Sequence, residues 1–212
     1  MNYNFDLDDK KPMTKKIIKE IIIWVVEILL AIVLAFLLIT FAVEKTTVVG
    51  DSMETTLQNQ NAIIINKAIY HISKPKRFDV IVFNQKGREH SYYNIKRIIG
   101  LPGETIQIVD GFVRINGEQI EEKVPVDLII NGGLADDAVT LDENEYFVLG
   151  DNRNNSEDSR FANIGNIVAD DIVGKAWIRI KPFNFVNQIN TESIFPTNDQ
   201  STEQPEETKD TK

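Results

Sequence analysis

The chain contains no cysteine and two histidines, His71 and His90. Thiolate nucleophiles, disulfides and thiolate zinc sites are therefore excluded, and little remains for a histidine-built metal centre. Hydrolytic chemistry in such a chain rests on oxygen nucleophiles, carboxylates, lysines or one of those histidines. A serine hydroxyl is a poor nucleophile until a neighbouring base accepts its proton. The run Gly50-Asp51-Ser52-Met53 places one serine in a short loop between two apolar stretches. No Gly-x-Ser-x-Gly elbow surrounds it, and neither histidine has an acidic partner nearby in sequence, so a Ser-His-Asp triad finds no support.

Lys96 is the better candidate base. In Asn94-Ile95-Lys96-Arg97-Ile98-Ile99, strand alternation places Ile95, Arg97 and Ile99 on one face and Lys96 with Ile98 on the other. Each face carries a cation beside isoleucine, and two readings follow. Either the strand is exposed and both charges reach water along their stems, or one of them is walled in by apolar neighbours. In the second case only lysine responds. Arginine stays charged, while a desolvated ammonium loses several pKa units and as a neutral amine takes a serine proton. A third segment, 150–160, is dense in Asp, Asn, Arg and Ser. It reads as a surface turn or as a platform that holds a site through side-chain-to-backbone bonds and Asp–Arg pairs.

These residues need elements to position them. The 212 residues are 42% hydrophobic and 26% charged, the balance of a folding chain. The net charge of −9 argues against a partner held by phosphate neutralisation, and nucleic acid is excluded as a partner on that ground. Over 21–43 the only polar side chains are Glu27 and Thr40, which predicts a helix of roughly 34 Å, enough to span a bilayer. The run is longer than a cleavable signal and lacks small residues at its exit. It is also apolar all round, too greasy for the remaining chain to cover as a core helix. Lys10, Lys11, Lys15, Lys16 and Lys19 precede it and only Lys45 follows closely, so residues 1–20 are expected in the cytoplasm and the remainder outside.

Beyond the helix, short β-branched runs at 62–66, 78–83, 94–99, 105–109, 112–115, 146–149 and 172–180 predict strands. Turn signals such as Asp110-Gly111 and Asn116-Gly117 separate them. Asp110-Gly111 is the kind of dipeptide that closes a tight hairpin with both residues at φ > 0. The expected fold is an all-β domain over 44–185, built from antiparallel sheets and partly barrel-like, on a single N-terminal transmembrane helix. From 186 to 212 the composition turns to Asn, Gln, Thr, Glu, Ser and Pro and predicts a solvated tail.

Taken together, the three segments resemble the type I signal peptidases of the Gram-positive bacterial type, membrane-anchored Ser/Lys proteases. Ser52-Met53-Glu54-Thr55-Thr56-Leu57 resembles the nucleophile motif, and 77–83 the strand that follows it. Ile95-Lys96-Arg97 through Glu104 resembles the general-base motif, and 150–160 the closing motif. The resemblance runs from the anchor to about Phe183. It implies that Ser52 attacks the scissile carbonyl, that Lys96 serves as base and then acid, and that Ser156 holds the Lys96 nitrogen. It further implies supporting roles for Asp158, Arg160 and Arg97, an oxyanion donor in the Ser52 N–H, and a substrate or oxyanion region including Gly50 and Met53. Implied partners are the signal peptides of exported preproteins, membrane lipid and a nearby secretion translocon, with no cofactor and no metal.

Three local features depart from that pattern or complicate it. The family's proline is Thr55 here, which loosens a turn that proline would fix. Position 50 is glycine where some members carry a hydroxyl residue. Glu54, beside the nucleophile, would raise the pKa of a close lysine. The alternatives are a relative specialised for pilins or conjugation, a catalytically silent binding module, and a self-cleaving repressor, the last disfavoured by the anchor and the acidic charge. Ser52 follows the helix by nine residues, at most about 32 Å of extended chain, so the site is expected near the outer membrane surface.

Overall fold

The computed structural model describes residues 11–84 and 93–189. His90 and residues 1–10 and 190–212 lie outside that range, and with them part of the expected basic segment and most of the expected tail. Helix α1 (Lys11–Ala42) starts ten residues before the expected boundary at 21. Lys11 to Glu20 contains no interior breaker, and Pro12 sits in the first turn, where its missing N–H costs nothing. Its portion Lys16–Ala42 is long and apolar enough to cross a membrane. Trp24, Leu30, Phe36 and Phe41 are all more than half exposed, so the domain does not cover this cylinder.

The helix passes directly into β1 (Val43–Thr47), followed by β2 (Ala62–Asn66), the short helix α2 (Ile69–Ile72), β3 (Val80–Phe83) and β4 (Asn94–Gly100). Next come β5 (Thr105–Val109), β6 (Phe112–Ile115), β7 (Glu118–Gln119), β8 (Val139–Thr140) and β9 (Glu145–Leu149). The last strands are β10 (Ile167–Val168), β11 (Ile172–Arg179) and β12 (Asn184–Phe185). One sheet has the order β1-β2-β11-β3-β4-β9-β10, with β12 paired to β11, and the other has the order β7-β6-β5-β8. Every pairing is antiparallel. The small sheet is made by the expected hairpin chemistry. Asp110 and Gly111 sit at φ 54° and 81°, and Asn116 and Gly117 at 52° and 86°, the left-handed pairs that match strand twist.

The large sheet curls around a core of Ile63, Ile65, Val80, Val82, Ile95 and Ala176. Val48, Met53 and Leu57, from the turn after β1, enter the same core. Chain at the edge of the sheet is thereby folded back over its middle, which carries residues near 52 toward β4 and β9. The expected tail boundary at 186 is corrected by the same cluster. Val186 and Ile189 are buried in it, because β12 reverses the chain against β11 and aims both side chains inward. Asp79, at 6% exposure, fastens this corner by accepting bonds from Lys175 Nζ (2.6 Å), Tyr70 Oη (3.1 Å) and Asn187 Nδ2 (3.1 Å).

Candidate active site

The turn that carries Ser52 is built from consecutive short-range bonds. Gly50, at φ 87°, takes a conformation that L side chains rarely adopt, and its N–H donates to Asn59 Oδ1 at 3.2 Å. The Glu54 N–H then donates to the Asp51 carbonyl at 3.0 Å, and the Leu57 N–H to the Met53 carbonyl at 2.7 Å. Met53 and Leu57 are 1% and 0% exposed. The Met53 side chain packs into the core and anchors the turn. Thr55 sits at φ 80°. This is no looser version of a proline turn, since proline is fixed near −65°; it is a different turn.

The platform grips this turn from the other side. The Asn152 N–H donates to the Ser52 carbonyl at 3.1 Å, and Asn152 Nδ2 to the Asp51 carbonyl at 3.1 Å. Beneath them Gly150 lies so close that a Cβ would overlap the Ser52 carbonyl and the Ser156 hydroxyl. Only glycine fits there. The Ser52 N–H donates to no acceptor among the described residues, so a donor next to the hydroxyl stays available for an oxyanion.

Lys96 lies on β4, between β3 and β9, opposite Ile81. It is 4% exposed, and Arg97 beside it is 1% exposed, so neither cation reaches water along its stem. Lys96 Nζ is 2.5 Å from Ser52 Oγ, across 44 residues of sequence. Burial pulls the lysine down from its ordinary 10.5 to about 8. The carboxylates of Asp158, Glu157 and Asp151 oppose that shift and the Arg160 guanidinium adds to it. Glu54, which would raise the lysine's pKa only from close by, accepts from Asn152 Nδ2 at 3.4 Å and is not among the charges that act on Lys96.

The remaining cations are matched. Arg97 donates through Nε and Nη2 to the two oxygens of Asp151, each at 2.7 Å, and also to Thr56 Oγ1 at 3.2 Å and the Phe78 carbonyl at 3.0 Å. One guanidinium therefore ties β4, the platform and the Ser52 turn together. Arg160 Nε donates to Asp158 Oδ1 at 2.7 Å, and Asp158 Oδ2 accepts from the Gly150 N–H at 3.0 Å. Ser156 departs from its expected role. Its hydroxyl donates to Asp158 Oδ2 at 2.8 Å, and no hydrogen bond joins it to Lys96. That bond uses the hydroxyl's one donor and leaves its oxygen able to accept.

Asp151, Asn152 and Gly150 were not singled out from the sequence as individual site residues. The density of polar residues over 150–160 was the available signal, and the partner of each could not be assigned from it. His71 is exposed on α2 and takes no part. Among the described residues no group of three or more carboxylate or imidazole side chains is placed to hold a metal ion.

The sequence of this chain has relatives among known proteins. The profile of the family described as "Signal peptidase, peptidase S26" matches residues 21–181. "Signal peptidase I P" of Bacillus subtilis subsp. natto is 37% identical over 163 residues, 73% of this chain and 85% of the relative. "Signal peptidase I T" of Bacillus subtilis (strain 168) is 36% identical over 176 residues, 78% of this chain and 88% of the relative. A solved signal peptidase I from Enterococcus faecalis V583 is 35% identical and covers 49% of this chain and 97% of its own, with a TM-score of 0.40. With a family match over most of its length and relatives of this similarity, the chain belongs to the signal peptidase I family of serine peptidases, peptidase family S26.

Proposed function

We propose that this chain is a membrane-anchored endopeptidase that removes signal peptides from exported preproteins through a Ser52–Lys96 dyad and an acyl-enzyme. The observation that carries the reading is the 2.5 Å approach of Lys96 Nζ to Ser52 Oγ at a lysine that is 4% exposed. In its neutral form Lys96 accepts the hydroxyl proton as Ser52 Oγ attacks the carbonyl. The Ser52 N–H donates to the oxyanion. The resulting ammonium protonates the leaving amine, and the neutral lysine then takes a proton from the water that releases the acyl group. Arg97, Asp151, Asp158, Arg160 and Ser156 position these groups and do not touch the reacting atoms.

Helix α1 anchors the enzyme, and the five lysines ahead of the apolar run set its N-terminus in the cytoplasm. Catalysis then faces the outer surface, close to where a preprotein leaves the bilayer. The test is cleavage of a preprotein with an Ala-x-Ala site by the detergent-solubilised full chain and by Ser52→Ala, with N-terminal sequencing of the product. A cut after the small residue by wild type alone is the expected result. Equal processing by Ser52→Ala would sink the dyad.

A further inference from the structure

The course of β1 sets a direction for a bound polypeptide. β1 is the edge strand of the large sheet and leads from the end of α1 at Ala42 toward Ser52. A chain leaving the membrane beside α1 can follow this edge, which no other strand pairs among the described residues, to the serine. The part after the scissile bond must then continue past the Ser52 turn, and a cleft lies there. It has a volume of about 380 Å³, and Glu54, Thr55 and Asn152 face Val126 and Asp127 across it.

Two features suit this cleft to an extended peptide of basic character. Its carboxylates are in excess. Asp151 is neutralised by Arg97, but among the described residues no cation pairs with Glu54 or Asp127. Its far wall offers free main chain: the N–H groups of Val126 and Asp127 have no acceptor among the described residues.

Resting on the peptidase reading above, we propose that this cleft binds the first residues of the mature protein, downstream of the cut. Glu54 and Asp127 favour lysine or arginine there over aspartate or glutamate. Both carboxylates are exposed, so the preference is of the size of partly screened ion pairs.

The test uses three preproteins that differ only in carrying Lys, Gln or Glu at the second and third positions after the cut, each assayed for kcat/KM with the detergent-solubilised full chain. The expected Lys-to-Glu ratio is about fivefold at low ionic strength, falling toward one in roughly 1 M salt. Asp127→Lys inverts the ratio, and Glu54→Gln with Asp127→Asn brings it near one. Because each ratio is taken within one enzyme preparation, partial loss of folded protein cancels. A wild-type ratio of one, or a ratio that these variants leave unchanged while the Gln substrate is cut, overturns the inference alone. Failure of the wild type to cut the Gln substrate overturns the peptidase reading and this inference with it.

Discussion

The platform side of β4 and the Ser52 side treat their buried cations in opposite ways. Toward the platform, Arg97 meets both oxygens of Asp151, and Arg160 meets Asp158. Toward Ser52, Lys96 is almost as buried but has a hydroxyl at its nitrogen, with the nearby carboxylates acting only through space. Removing an ion from water costs several kcal/mol, which a counter-ion at bonding distance offsets and a hydroxyl does not. The paired guanidiniums therefore stay charged and hold the frame, while the unpaired ammonium gives up its proton early. One strand supplies both a permanent fastener and a titratable amine, and the chemistry of the two side chains makes the division possible.

The largest expected effect comes from erasing that division. Lys96→Arg places a cation that cannot release its proton beside Ser52, and kcat/KM for preprotein cleavage should fall by about a thousandfold or more, as with other removed members of a catalytic pair. On the platform side, Asp151→Ala leaves Arg97 buried without its counter-charge and should cost about 3–5 kcal/mol in denaturant unfolding. Activity is lost there through the frame and not through proton transfer.

Lys96→Met sharpens the contrast, since it should abolish cleavage and yet stabilise the fold. The folded lysine titrates near 8 and the unfolded one near 10.5, a difference worth about 3 kcal/mol. Both states are protonated below about pH 8, where the cost of burying the ammonium is fully present. Between about 8 and 10.5 the unfolded chain binds more protons, so wild-type stability rises with pH. The advantage of methionine is therefore largest below pH 8 and narrows above it, which unfolding curves at several pH values would reveal.

Thr55 tests whether the Ser52 turn is the loose member of this corner. At φ 80° the position excludes proline, so Thr55→Pro, which restores the family's residue, should lower stability by about 1–3 kcal/mol and reduce cleavage. Thr55→Gly should be neutral or stabilising. A Thr55→Pro enzyme with full activity would show that the turn adopts another conformation. The smallest effect is expected at Glu157, whose exposed carboxylate favours charged Lys96 from a distance. Wild-type activity should rise with pH up to about 8, about tenfold per unit on the acid side. Glu157→Gln should move that limb slightly to lower pH, and a shift to higher pH would contradict the assignment of the limb to Lys96.

Much of this protein was legible before any coordinates. The apolar run, the hairpin dipeptides Asp110-Gly111 and Asn116-Gly117, and the β-branched strands are local patterns, governed by sterics and periodicity within a few residues. Ser52, Lys96 and the 150–160 segment were visible as residue types able to do chemistry. Their contacts were not visible. Strand alternation left open whether Lys96 and Arg97 were exposed, because alternation reports which side chains share a face and says nothing of what covers it.

The tertiary structure decided what covers them. Register between β3, β4 and β9, and the fold-back of the turn after β1, bring Ser52 within bonding distance of Lys96 across 44 residues. The same packing gave Arg97 to Asp151 and turned the Ser156 hydroxyl to Asp158. It also drew Val186 and Ile189 into the core from a polar stretch. Local sequence determines which elements form and which groups they carry. Whether a given cation keeps a counter-ion or meets only a hydroxyl depends on contacts between segments far apart in the chain, and those contacts settle which buried cation is matched by a carboxylate and which is pushed toward its neutral form.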